Sequence, residues 1–89
     1  MKLEEVDAPQ IVTGDFGIKT INGSYKNVSG ATISYAQVTF ALFDKNGAQI
    51  GTAVANINNI AKDAVWKYSA TPLTMDEWVS FQFSEIDSW

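Results

Sequence analysis

The chain predicts an all-β domain, a sandwich or a barrel, and three observations carry that expectation. The dominant residues are Val, Ile, Thr, Phe, Tyr and Trp, which suit a pleated, half-buried surface. Turn-forming clusters recur at short intervals: Gly14-Asp15, Asn22-Gly23, Asn27 to Gly30, Asn46-Gly47, Asn58-Asn59, Lys62-Asp63 and Thr71-Pro72. Between them apolar and polar residues alternate with period two, the signature of strands with one buried face.

Taken in order, residues 1–14 lack a pattern and read as a flexible lead-in or an edge segment, ahead of a single domain over 15–89. Phe16, Ile18 and Ile21 do not share one parity, so a bulge near Thr20 to Gly23 is expected. The clearest strand runs from Ser34 to Asp44, with Ala36, Val38, Phe40 and Leu42 on one face. Tyr35, Gln37, Thr39, Ala41 and Phe43 lie on the other. Asp44-Lys45-Asn46-Gly47 supplies a tight turn, since Gly and Asn tolerate the positive φ it needs. The return strand, about Ala48 to Ile57, is expected to place Ile50, Thr52 and Val54 inward. A strand over Ala64 to Ala70 sets Trp66 and Tyr68 against Val65, Lys67 and Ser69. Thr74 to Glu77 has the flavour of a single helical turn. The last strand, about Glu77 to Ile86, groups Val79, Phe81 and Phe83. Phe16, Phe40, Phe81 and Phe83 read as core, and two short sheets packed face to face would bury these faces together.

With 89 residues, of which 46 % are hydrophobic, one domain can hold a real core. Six basic residues, all lysine, face ten acidic ones for a net charge of −4. The lysines are scattered and arginine is absent, so no dense cationic surface for nucleic acid is present, nor one for an anionic membrane. No apolar run approaches the ~20 residues of a membrane helix. Without cysteine the core stands without disulfides.

Phe40-Ala41-Leu42-Phe43-Asp44 resembles the motif of the FxLYD family, with Phe43 where the family has tyrosine. Upstream, Gly23-Ser24-Tyr25-Lys26-Asn27 is similar to the family's Gly-x-Val-x-Asn element. Downstream, Ile60-Ala61-Lys62-Asp63 stands where a Leu-x-Pro-Gly turn is common, ahead of Trp66-Lys67-Tyr68. The resemblance covers about Asp15 to Phe83. It implies an immunoglobulin-like β-sandwich of two small, mainly antiparallel sheets, on the outer side of a bacterial membrane. A surface protein or lipoprotein anchored through a segment outside this chain is the implied setting. The family carries no catalytic residues to transfer.

The residues themselves point away from catalysis. Histidine and cysteine are both missing, which removes the common nucleophilic triads and zinc ligand sets. The dense acidic pairs, Asp76-Glu77 and Glu85/Asp87, read as solvated charges rather than a glycosidase pair. Asp44 reads as an acceptor for backbone N–H groups of its own turn rather than a calcium ligand. Asn27-Val28-Ser29 fits a glycosylation sequon but reads as a turn. The expected function is a non-catalytic module, without cofactor or metal, that mediates protein contacts or spaces a larger surface protein. The contact would use an exposed Tyr35, Thr39 and Phe43 face, or an unprotected sheet edge open to strand addition. The alternative is a module binding cell-wall glycan through exposed Trp66, Tyr68 and Trp78.

Overall fold

The structure, a computed structural model, describes residues 2–89. Its strands are β1 (Leu3–Thr13), β2 (Lys19–Asn27), β3 (Ile33–Phe43), β4 (Gln49–Ile60), β5 (Val65–Pro72) and β6 (Ser80–Ser88). A short 3-10 turn at Asp15–Gly17 joins the first two. Every pairing is antiparallel, in the order β1-β2-β5-β4-β3-β6. The all-β expectation holds, but the strands form one sheet curled into a half-barrel where two sheets were expected. The seam is narrow: β4 and β5 pair only at Ala53↔Pro72 and Val54↔Thr71. Across the curl, the rings of Phe40 on β3 and Tyr68 on β5 lie 6.0 Å apart, so the two halves of the sheet face each other over the core.

β3 is the spine of that core. Ala36, Val38, Phe40 and Leu42 are fully buried, as their alternation predicts. From Thr52 onward the face of β4 is the reverse of the expected one. Ala53 and Ala55 point inward because they lie opposite Phe40 and Val38, and small residues there leave room for the Phe40 ring. Thr52 and Val54 fall on the outer parity and are half-buried, whereas Ile50, the extra residue at the register shift between Leu42 and Phe43, packs against the core as expected. On β5, Trp66, Tyr68 and Ala70 are buried while Val65, Lys67 and Ser69 are exposed.

Two irregular strands flank this frame. In β6, Glu85 faces Thr39 and Phe83 faces Phe40, so Ser84 is an extra residue. The bulge shifts parity and puts Phe81, Phe83 and Ile86 on the inner face. In β1 the register slips twice, between Glu5 and Asp7 and between Asp7 and Gln10. The bulges expected at Thr20 to Gly23 thus lie on the partner strand instead, and β2 keeps one parity from Ile21 to Asn27. Residues 3–13, within the segment expected to be a flexible lead-in or an edge, form this edge strand, exposed after Leu3 apart from the half-buried Pro9. Thr74 to Glu77 makes no helical turn; the Thr74 hydroxyl instead accepts from the Asp76 N–H at 3.1 Å.

Candidate functional site

Antiparallel pairing sorts the connections onto two ends. The β2–β3 loop and the β4–β5 turn share one end; the β1–β2, β3–β4 and β5–β6 connections share the other.

The first end is knitted by Asn27, which is completely buried. Its side-chain amide donates to the carbonyls of Ala31, Ile60 and Ala61 at 2.8, 3.0 and 3.1 Å. Its Oδ1 accepts from the Ser29 N–H at 3.0 Å and the Ser29 hydroxyl at 2.7 Å. With donors and acceptor both engaged inside the fold, Asn27 serves as the turn residue the sequence suggested, and its sequon is inaccessible.

The second end is built differently. The hairpin between β1 and β2 turns through Phe16 and Gly17, both with positive φ (61° and 73°). Ile18 N–H donates to the Asp15 carbonyl at 3.4 Å, closing a turn of the I′ kind. Such a turn favours Asn or Gly at the position Phe16 holds, because a bulky side chain there crowds its own backbone. Phe16 is also 99 % exposed. The expectation that it is core fails because the hairpin tip carries it beyond the sheet.

Beside it, the β5–β6 connection is pinned from several sides. Leu73 N–H donates to the Thr52 carbonyl at 2.8 Å and Val79 N–H to the Phe43 carbonyl at 2.9 Å. Thr74 presses against Gly51, where an added Cβ would come within 2.9 Å of it. Lys19 donates to the Trp78 carbonyl and holds its ammonium 5.1 Å from the Trp78 ring centre. Trp78 is thereby sunk to 4 % exposure while Leu73, Met75 and Val79 stay exposed. Between the hairpin and this loop lies a groove of about 520 Å³, walled by Ile18, Pro72, Met75, Asp76 and Glu77 with Trp78. Ile18 and Met75 share this groove, and Phe16 and Leu73 are further exposed apolar residues of the same two connections, so this end carries the apolar tip of the domain. The third connection contributes polar closure: Asp44 Oδ1 accepts from Asn46 and Ala48 N–H groups at 2.8 and 3.0 Å, with Gly47 at φ 82°.

The residues singled out from sequence fall elsewhere. Tyr35, Thr39 and Phe43 share the outer face of β3 and are half-buried rather than exposed. Trp89 leans on Tyr35, with ring centres 5.1 Å apart, and the Tyr35 hydroxyl donates to Gln37 at 2.8 Å. Trp66, Tyr68 and Trp78 are buried, so the exposed rings a glycan platform needs are not presented. Tyr68 crosses over Gly23, where a Cβ would meet its hydroxyl at 2.3 Å. That hydroxyl has no partner among the described residues. Burial, then the neighbouring Tyr25 and Glu5, push its pKa well above the usual phenol value. Tyr25 is pushed up by burial and then by Glu5. Asp76 and Glu77 sit in the β5–β6 loop, while Glu85 and Asp87 lie on β6 with the outer row of the sheet.

Sequence reasoning placed Phe16 in the core and passed over Ile18, Leu73 and Met75 as a surface. The available signal was Asp15-Phe16-Gly17, an aspartate and a glycine enclosing one aromatic at a hairpin position. Comparison of the chain with protein-family models, with curated proteins and with solved structures gives no match.

Proposed function

We propose that this chain is a non-catalytic module that holds a protein partner through its apolar tip. One observation carries the reading: Phe16 stands almost wholly in water, in a backbone conformation that costs a bulky residue roughly 1–2 kcal/mol. Strain of this kind persists where function asks for it. An exposed aromatic at the same end as exposed Ile18, Leu73 and Met75 offers large contact area at low entropy cost. The FxLYD-like order of motifs supports placing the module among immunoglobulin-like sandwiches, and the two facing halves of the curled sheet are compatible with that finer description. From the same resemblance comes the proposed setting, the outer side of a bacterial membrane with an anchor outside this chain.

The test replaces Phe16 with a photoreactive phenylalanine analogue and irradiates the protein in its native cell envelope. A discrete adduct, competed by excess wild-type domain but not by Phe16→Asn, is the expected result. The same probe at Lys62, on the opposite end, should give none. Equal labelling from both ends, or none from the tip, would remove the docking reading and leave a spacer.

A further inference from the structure

The order of strands leaves β1 and β6 as the two borders of an open sheet. Such borders present rows of unpaired N–H and C=O groups, and proteins usually guard them. β1 is guarded by its two register slips, by Pro9, and by the carboxylates of Glu4, Glu5 and Asp7. β6 carries fewer such guards, a single bulge at Ser84 and two carboxylates, Glu85 and Asp87, and it contains neither proline nor lysine. The bulge brings Phe81, Phe83 and Ile86 to the inner side, where Phe83 packs edge-on against buried Phe40 at 6.1 Å. Yet Phe83 remains 47 % exposed, because no strand among the described residues lies beyond it. On the outer side stand Glu85 and Asp87, opposite the neutral Thr39 and Gln37 of β3.

We infer that the free side of β6 takes an extended polypeptide segment as an added strand. Apolar side chains of that segment cover Phe83 and Ile86 on one face, and lysine or arginine side chains lie beside Glu85 and Asp87 on the other. Main-chain hydrogen bonds supply the pairing, and the alternation supplies the selection. A second copy of this chain is the poorer occupant, since it brings the same carboxylates and its own net charge of −4. This site is independent of the apolar tip, which lies on the connecting loops.

The test measures fluorescence anisotropy with three labelled peptides of seven residues: alternating lysine and valine, alternating glutamate and valine, and the lysine peptide with its valines and lysines in blocks. The alternating lysine peptide is expected to bind the wild-type domain at least ~10-fold more tightly than either of the others. Phe83→Lys, an inward charge on the border strand, should weaken it by a similar ~10-fold factor. The paired substitution Glu85→Lys with Asp87→Lys lies at the surface and should transfer the preference to the glutamate peptide. Equal binding of the block peptide would mean simple charge attraction and overturn strand addition, as would binding indifferent to Phe83→Lys in a folded variant. Equal binding of the glutamate peptide would overturn the basic partner. A concentration-dependent dimer in sedimentation, abolished by Phe83→Lys, would give the edge to a second copy and overturn the proposal. Loss of tip crosslinking has no bearing on any of these readouts.

Discussion

At the end where β2 runs into β3, one buried amide binds three segments together. At the opposite end a phenylalanine stands in a left-handed turn with its ring in water. The Asn27 end does what stability requires: each buried polar group finds a partner, and the loops are closed by hydrogen bonds. The Phe16 end does the reverse with one residue while keeping the surrounding frame pinned by Lys19, Gly51 and Thr52. A strained, fully exposed aromatic is the observation on which the proposed docking role rests.

The largest effect should come from breaking the closed end. Asn27→Ala removes the shared amide from the Ala31, Ile60 and Ala61 carbonyls and the acceptor of the Ser29 N–H and hydroxyl, although the Ala61 carbonyl keeps the Ala64 N–H and the Ala31 carbonyl keeps the Ser29 hydroxyl. A loss of about 3 kcal/mol is expected in urea unfolding, from the cost of buried unsatisfied groups. Faster amide exchange should follow in both loops at that end. A loss below the effect of an ordinary surface substitution would mean that the amide is not the closure.

Asp44→Ala asks how much of the tip end also depends on hydrogen bonds. It removes an acceptor for two turn N–H groups that water can reach, so about 1 kcal/mol is expected by the same denaturation. A cost equal to that of Asn27→Ala would erase the contrast between the ends.

The smallest effect concerns Tyr68 on the inner face of β5. Its hydroxyl is buried and unpaired, so Tyr68→Phe should be neutral or slightly stabilising at pH 7. Its raised pKa means that above about pH 10 the unfolded chain releases a proton that the folded one retains. Stability is then complete below that pH and falls as pH rises beyond it, with Tyr25 contributing in the same direction. Alkaline titration of ellipticity should show Tyr68→Phe holding its fold to higher pH than the wild type. An unchanged alkaline midpoint would count against the buried phenol.

Much of the frame was legible because it is local. The parity of Ser34 to Asp44 identified the buried face of β3, and Asp44 to Gly47 announced its own turn. Trp66 and Tyr68 were rightly grouped on one face. Strand alternation alone does not say which face is wet, so a buried pair and an exposed glycan platform fit the same pattern. Elsewhere the decisive facts are non-local. The inward face of β4 follows from what β3 sets opposite it, so Ala53 and Ala55 win over Thr52 and Val54. β1 has no alternation to read because both its faces are exposed. That β6 is a border depends on the order of all six strands, which no window of sequence contains. Phe16 misled because apolar character was taken for burial, although the glycine after it and the aspartate before it mark a hairpin tip.

The most direct test of the tip is the stability of Phe16→Asn in urea. Asparagine tolerates the left-handed turn and leaves no ring in water, so the substitution should stabilise the fold by about 0.5–1 kcal/mol with an unchanged denaturant slope. A destabilisation of about 1 kcal/mol or more, of the size expected from removing packed aromatic surface, would contradict the account.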